Sequence, residues 1–162
     1  MRENRSVPRS CVIPVLAYPD VAAASDWLCA AFGFRERLRI GDHRAQLVYG
    51  DGAVILAHGE PAPSSVHVRV EDAAAHFRRA KRRGAQIAGE LTDYPYGERQ
   101  YTAVDHAGHR WTFSESIADV DPGSWGATRV RTADESRALA LDDDTSDWIR
   151  VFSPPSDELD ER

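Results

Sequence analysis

The alternation of apolar and polar positions in the first third of the chain predicts one strand, one helix and three further strands. An apolar run of β-forming residues covers residues 11–18, and Pro14 inside it indicates an edge strand or a bulge. Asp20 is a helix-capping residue, and apolar side chains then recur at helical spacing until Gly33, which predicts a helix over residues 20–32. Turn sequences containing Gly and Asp separate the three strand-like segments that follow, at residues 34–40, 43–49 and 53–58.

The same order of elements then repeats. A strand-like segment is followed by Asp72 as a second helix cap, by apolar positions at helical spacing, and by Gly84 as the predicted helix end. Asp72 lies 52 positions after Asp20, and Gly84 lies 51 positions after Gly33, which is the spacing of an internal repeat. The predicted fold class is α+β, with two βαβββ modules that form curved mixed sheets around a cavity. The strands of the second module are predicted at residues 65–70, 86–91, 98–104 and 110–115.

The last two strands form a predicted hairpin with one apolar and one polar face. The turn sequence 105–108 joins them, and side chains on a strand alternate between its two faces. Trp111 and Phe113 therefore share a face that we expect to pack beneath a helix. Thr112 and Ser114 share the opposite face, and such a polar face usually meets solvent but in a curved sheet can line a cavity instead.

The paired βαβββ pattern and the hairpin YGERQYTAVDHAGHRWTF, residues 96–113, resemble the vicinal oxygen chelate superfamily. That superfamily includes glyoxalases, extradiol dioxygenases, fosfomycin-resistance enzymes and bleomycin-resistance proteins. The resemblance covers residues 10–118, with His106 at a position where family hairpins often have proline. The segment DPGSWG, residues 121–126, resembles an extension found in some members. The resemblance implies the fold, but the chemistry must come from the site because this fold hosts many functions.

The resemblance, together with the charge distribution, implies three parts of the chain. Residues 1–9 are an N-terminal arm, residues 10–118 are the glyoxalase-like domain with modules 10–59 and 64–118, and residues 119–162 are an acidic C-terminal extension. The extension has twelve acidic residues and five arginines, a net charge of −7, which leaves the preceding residues at +1 out of a total of −6. This distribution argues against a nucleic-acid partner.

Two further features of the sequence concern helices and location. The basic run on Arg78, Arg79, Lys81, Arg82 and Arg83 is interpreted as the solvated face of the second helix. A helix over residues 132–141 and docking of the apolar cluster at residues 148–152 are also expected.

No apolar run is long enough for a membrane span or a signal peptide, so we expect no membrane partner and a cytoplasmic location.

The resemblance implies four positions where metal-dependent members carry His, Gln or Glu, on the first and fourth strands of each module. Counting from the helix caps places them at Ile13, Leu56, Ser65 and Thr112. Because Ile and Leu donate no electron pair, this set predicts no metal and no other cofactor. A register shift of two residues brings in His58 and His67 as a fallback pair of ligands, which leaves a divalent metal as the alternative.

The cavity face is expected to combine aromatic and polar side chains, as a small organic ligand requires. Arg99 is singled out because a guanidinium binds a carboxylate or phosphate through two hydrogen bonds, although pairing with a neighbouring acid is the alternative. His67 is a ligand or general base in one interpretation and a hydrogen-bonded strand residue in the other. His58, His106 and His109 lie at strand ends or in turns, where we expect them to be exposed. The candidate ligand-binding residues are Tyr49, His67, Arg69, Tyr96, Arg99, Tyr101, Thr112 and Ser114.

The function expected from these residues and from the resemblance is binding of a small organic or peptide-like ligand without a metal. The alternative is a metal-dependent lyase or dioxygenase with a non-standard ligand set, and a third interpretation is a subunit whose tail serves association. No catalytic residue is assigned. The resemblance also implies a homodimer in which both subunits complete each site.

Overall fold

A computed structural model describes residues 4–128 of the chain and contains two successive βαβββ modules. The first module consists of β1 (Val15–Tyr18), α1 (Val21–Phe32), β2 (Arg35–Ile40), β3 (Arg44–Tyr49) and β4 (Gly52–His58). The second consists of β5 (Ser65–Arg69), α2 (Ala73–Arg82), β6 (Gln86–Tyr94), β7 (Glu98–Val104) and β8 (Arg110–Ser116). The predicted repeat and the α+β fold class are confirmed.

Each module folds into one four-stranded mixed sheet. The strand orders are β1-β4-β3-β2 and β5-β8-β7-β6, so the first strand of each module pairs with the last. That pairing is parallel, and all the other pairings are antiparallel. Among the described residues, β1 and β5 each pair on one side only, which leaves two sheets with open edges.

The two helices begin where the sequence predicted. Asp20 Oδ1 accepts a hydrogen bond of 2.9 Å from the Ala23 amide, and Asp72 Oδ1 accepts one of 2.7 Å from the Ala75 amide. Helix α1 ends at Gly33, whose φ of +76° is a left-handed conformation that favours glycine. The short polar side chains at the caps therefore fix where each helix starts.

Each sheet has one face covered by helices and one face turned away from them, called here the helix-covered face and the open face. Leu28, Phe32, Leu47, Trp111 and Phe113 are all fully buried in one core that both modules share. Trp111 and Phe113 lie on the helix-covered face, as their alternation along β8 predicted. Burial of each large apolar side chain contributes roughly 1.5–3 kcal/mol to folding.

A buried carboxylate connects the two modules. Asp105, in the turn between β7 and β8, accepts hydrogen bonds from the Tyr18 hydroxyl at 2.7 Å and from Trp111 Nε1 at 3.0 Å. It also accepts from the amides of Ala107 and His109, both at 3.0 Å. Burial, and then the Asp105 charge, raise the pKa of Tyr18, which keeps this hydroxyl a hydrogen-bond donor.

A buried histidine makes a second connection. His76 Nε2 donates to the carbonyl of Phe32 at 2.8 Å, while Nδ1 accepts from the Tyr101 hydroxyl at 2.6 Å. A carbonyl can only accept, so Nε2 carries a proton, and in the neutral ring Nδ1 is then the acceptor for the Tyr101 hydroxyl. Burial lowers the pKa of His76 to about 4, because the charged form has no water around it.

The structure corrects the sequence analysis at three places outside the site. β1 begins at Val15, not at residue 11, because strand pairing with β4 starts after Pro14. β6 extends to Tyr94, three residues further than predicted. His109 was expected at the surface but is 1% exposed, and its Nε2 donates to the Ala17 carbonyl at 2.9 Å.

The chain divides into two compact units, residues 1–120 and residues 121–162. In the second unit, Pro122–Trp125 form a single 3-10 turn, and the Asp121 side chain accepts from the Gly123 amide. The helix predicted over residues 132–141 and the apolar cluster at 148–152 lie outside the described residues. Within residues 4–128, no helix has the length and apolarity that crossing a bilayer requires.

Candidate ligand-binding site

A groove of about 1090 Å³ runs along the open edge of β5. The turn between β3 and β4 forms its opposite wall, and α2 closes one end. Because β5 is an edge strand, side chains from both of its faces border the groove. The residues that line the groove include Phe34, Tyr49, Asp51, His67, Arg69, His76, Arg79 and Trp111.

Aromatic rings form one side of this edge groove. Phe34 packs against Tyr49 with ring centroids 5.5 Å apart, and against Trp111 at 5.4 Å. Tyr49 is half-buried, so its ring is available on one side, and burial raises the pKa of its hydroxyl. Trp111 is fully buried and Phe34 is nearly so, and therefore Tyr49 is the ring that offers stacking area to an aromatic ligand.

Arg79 supplies a cation to the same groove. Its Nε atom is buried and has no hydrogen-bond partner among the described residues. The guanidinium lies directly over Gly33, since a Cβ added at that glycine would stand 2.2 Å from Arg79 Nη2. An unpaired buried donor of this kind is costly. Because Nε itself is buried, an anionic ligand in the groove would interact with the positive charge of the guanidinium and not directly with Nε.

Polar side chains form linked pairs on the open face of the second sheet. His67 Nε2 and Ser114 Oγ are 2.7 Å apart, and Thr102 Oγ1 and Thr112 Oγ1 are 2.9 Å apart. Of these four residues, His67 lies on the edge strand, so it borders both the open face and the edge groove. The predicted set of Tyr49, His67, Arg69, Thr112 and Ser114 therefore spans the groove and the adjoining face.

A second linked group lies further along that face. Arg69 Nη2 donates to Ser116 Oγ at 2.7 Å, and Ser116 donates in turn to Glu98 Oε1 at 2.5 Å. The hydrogen bond from Ser116 is the main reason that the pKa of Glu98 is lowered. These hydrogen bonds orient the exposed side chain of Arg69 across the open face.

Tyr101 and Arg99 do not lie on the predicted face. Tyr101 pairs across the strands with Phe113 and is 1% exposed, so it belongs to the core. Arg99 pairs with Glu115 on that same helix-covered side, and both of its bonded nitrogens, Nε and Nη2, contact the Asp93 carboxylate. The predicted placement of both residues on the cavity face is wrong, because cross-strand partners share a face and Phe113 was already assigned to the core.

Tyr96 lies at the opposite edge of the second sheet from the groove, in the turn between β6 and β7. Its hydroxyl donates to Gln100 Oε1 at 3.4 Å, and its ring stacks on Tyr94 with centroids 5.2 Å apart. Gln100 pairs with Ser114 and so faces the open side. Tyr96 therefore borders the open face without reaching the edge groove.

Two of the four candidate metal-ligand positions, Leu56 and Ile13, do not lie on the open face of a strand in the structure. Leu56 is fully buried on the helix-covered face, so β4 presents Ile55 and Ala57 to the open side. Ile13 precedes β1, whose open-face residues are Val15 and Ala17. Apolar side chains thus stand on both strands of the first module, and they do not fit a metal.

The fallback pair of histidines is not brought together. His58 follows Leu56 with strand alternation and therefore belongs to the helix-covered side of the first sheet, at its exposed end. His67 is on the open face of the second sheet and bonds Ser114. Across residues 4–128 there is no group of three or more His, Cys, Asp or Glu side chains placed to hold a metal ion.

Sequence reasoning missed Arg79, Phe34 and Gln100. Arg79 was assigned to a solvated helix face, but it is half-buried, three residues after the buried His76 on α2. Arg79 lies next to Gly33, the glycine that ends α1 of the other module. This position depends on how the two modules pack, and a local sequence pattern does not predict that packing. The open-face position of Gln100 could have been predicted from the sequence, because the length of the turn between β7 and β8 fixes its pairing with Ser114.

Comparison with known proteins agrees with this architecture. The model of the Glyoxalase/Bleomycin resistance protein/Dioxygenase superfamily matches residues 12–113. The chain belongs to this superfamily. An uncharacterised protein of Mycobacterium bovis is 24% identical over 128 residues, covering 67% of this chain and 84% of that relative.

Solved structures of superfamily proteins superimpose on the chain. The crystal structure of TioX from Micromonospora sp. ML1 is 37% identical, with a TM-score of 0.62, and the match covers 67% of this chain and 99% of that one. Lactoylglutathione lyase from Agrobacterium tumefaciens is 16% identical, with a TM-score of 0.56, and covers 74% and 98%. At that identity, the likeness to the lyase concerns the fold alone.

Proposed function

We propose that this superfamily member binds a small organic or peptide-like ligand in the edge groove, without a metal. The observation that carries the proposal is the Arg79 guanidinium, with its unpartnered Nε, beside the rings of Phe34 and Tyr49. A cation beside aromatic walls suits a ligand with a flat aromatic part and a carboxylate. His67 and Arg69 add further donors along the β5 edge.

The chemistry of the strand positions supports metal-free binding. Val15, Ala17, Ile55 and Ala57 occupy the open face of the first module, where metal-dependent members carry ligands. His67 could offer a metal only one imidazole ligand, and its Nε2 already forms a hydrogen bond with Ser114 Oγ. A ligand would therefore be held by hydrogen bonds and ring contacts from the protein itself.

The proposal is tested with a matched pair of probes, 2-naphthoate and 2-naphthamide, which differ in charge but not in ring shape. We expect isothermal titration calorimetry to show that the wild-type protein prefers the carboxylate. In Arg79→Gln this preference falls by about tenfold, because the charge-assisted hydrogen bond is lost, whereas binding of the amide is unchanged.

The matched control is Arg78→Gln, which changes the preceding residue of the same helix. Arg78 is exposed and lies outside the groove, so this variant keeps the wild-type preference. Equal binding of both probes to the wild type, or equal effects of the two substitutions, would contradict the assignment of the site.

We further propose that the protein is a cytoplasmic homodimer without a nucleic-acid partner. The open edge of β1 supports association, because an unpaired edge strand is available to a second chain. Light scattering coupled to size-exclusion chromatography checks the dimer by giving twice the chain mass of 18.0 kDa. A monomer over the whole concentration range would contradict it.

A further inference from the structure

The chain's own N-terminal arm, defined here as residues 4–10, covers the part of the first sheet's open face around Gln46, whereas Val15 on the same face is 55% exposed. Gln46 shows the covering most clearly, since it is 5% exposed although it stands on the open face between the core residues Ala45 and Leu47. Pro8 of the arm is buried as well. None of the arm residues belongs to the hydrophobic core.

The sheet holds the arm by its backbone carbonyls. Gln46 Nε2 donates to the Ser6 carbonyl at 2.9 Å, and Arg37 Nη2 donates to the carbonyl of Arg5. Arg37 Nη1 also donates to Gln46 Oε1 at 2.6 Å, which fixes the two side chains relative to each other. Both hydrogen bonds are accepted by backbone carbonyls and not by side chains of the arm. Any peptide whose amide carbonyls have this spacing can therefore accept the same two hydrogen bonds.

A local irregularity of β2 positions this pair of donors. The pairing of β2 with β3 shifts register between Glu36 and Leu38, so Arg37 is the extra residue of a bulge. Bulges redirect a side chain and are frequent next to binding sites. The bulge brings the Arg37 guanidinium to Gln46, whose strand partner on β2 is Leu38.

The arm also leads to the edge groove. Ser10 Oγ donates to the carbonyl of Asp51 at 2.6 Å, and Asp51 lies in the groove wall. From there the arm passes Pro8 and reaches Gln46 and Arg37. A continuous track therefore joins the groove to the two carbonyl-binding side chains.

We propose that this track binds the amide carbonyls of an extended, peptide-like part of the ligand, and that the arm is an intramolecular competitor for it. The inference rests on the proposed function, because it names the part of the ligand that lies outside the edge groove. The ligand displaces residues 5–8 and takes over the hydrogen bonds of Gln46 and Arg37. An arm tethered to the same chain acts at an effective concentration of the order of millimolar, which weakens a competing chain without blocking it.

The test uses the full chain and the synthetic decapeptide MRENRSVPRS, the sequence of residues 1–10, with a fluorescent label at its C-terminus. Pro8→Asp places a charge at a buried position of the arm and releases it. We expect fluorescence anisotropy to show at least tenfold tighter decapeptide binding to Pro8→Asp than to the wild type. The gain disappears when Gln46→Ala is added, because the carbonyl donor is lost.

Two further variants serve as controls for the decapeptide-binding experiment. Ser6→Ala retains the carbonyl that Gln46 binds and changes only an exposed side chain, so we expect it to behave as the wild type. Pro8→Gly loosens the arm without burying a charge and gives a smaller gain in the same direction. Circular dichroism establishes that each variant is folded.

Equal decapeptide affinity for the wild type, Pro8→Asp and Pro8→Gly would overturn the competition. A gain that survives Gln46→Ala would overturn the role of the carbonyl donors. Binding of 2-naphthoate, measured on the same samples, separates this inference from the proposed function. If the protein binds naphthoate but not the decapeptide, the carbonyl-binding track is contradicted and the proposed function is not. If it binds neither probe, both the track and the proposed function are contradicted.

Discussion

At the scale of single residues, the structure uses three histidines in different ways. His76 and His109 are buried and donate through Nε2 to carbonyls of the first module. His67 is at the edge of its sheet and bonds a serine on the open face. The residue type alone does not distinguish these roles, because they depend on which partner the packing of the modules supplies.

The buried His76 predicts a pH dependence of stability. Its pKa is lowered to about 4 from an ordinary value of 6.5, so the unfolded chain binds the proton more readily than the folded protein does. Its contribution is therefore fully present above pH 6.5 and is lost as the pH falls toward 4, by up to about 3 kcal/mol. Urea unfolding at each pH measures this loss.

The comparison is made with His76→Phe, which keeps a ring but cannot titrate. We expect the free energy of unfolding of this variant to fall less steeply than that of the wild type between pH 6.5 and pH 4. His43→Ala removes an exposed histidine and should follow the wild-type curve. Parallel curves for the wild type and His76→Phe would show that the ring is not held in its neutral form.

At the scale of elements, alternation and capping predicted most of the fold. Asp20 and Asp72 mark the starts of both helices, and Trp111 and Phe113 mark the core side of β8. Alternation within one strand does not give the face of its neighbour, which depends on register. Tyr101 was therefore misassigned, although its pairing with Phe113 follows from the turn between the two strands.

The turn that contains Asp105 is the element on which the junction of the modules depends. We expect Asp105→Ala to reduce the free energy of unfolding by about 3–5 kcal/mol, because four donors that it satisfies lose a buried acceptor. Urea unfolding at pH 7 measures the loss. The matched control is Asp93→Ala, which removes an exposed ion pair with Arg99 and should cost less than about 1 kcal/mol. Similar losses in both variants would contradict the role of Asp105.

At the scale of the whole molecule, the candidate site arises where the modules meet. Tyr49 and Phe34 come from the first module, while Arg79, His67 and Arg69 come from the second. Sequence analysis found the open-face residues of the second sheet, since strand periodicity identifies them. It did not find Arg79 or the arm contacts of Gln46, because both depend on packing between segments that are far apart in the chain.

Metal-free binding is the central claim, and one measurement tests it most directly. Isothermal titration calorimetry with 2-naphthoate is performed on protein before and after treatment with EDTA, and after addition of Zn²⁺ or Mn²⁺ to the treated sample. We predict the same affinity in all three states, because Arg79 and the aromatic wall supply the contacts. Binding that disappears with EDTA and returns with one of the two ions would contradict the account and would favour a metal-dependent lyase or dioxygenase.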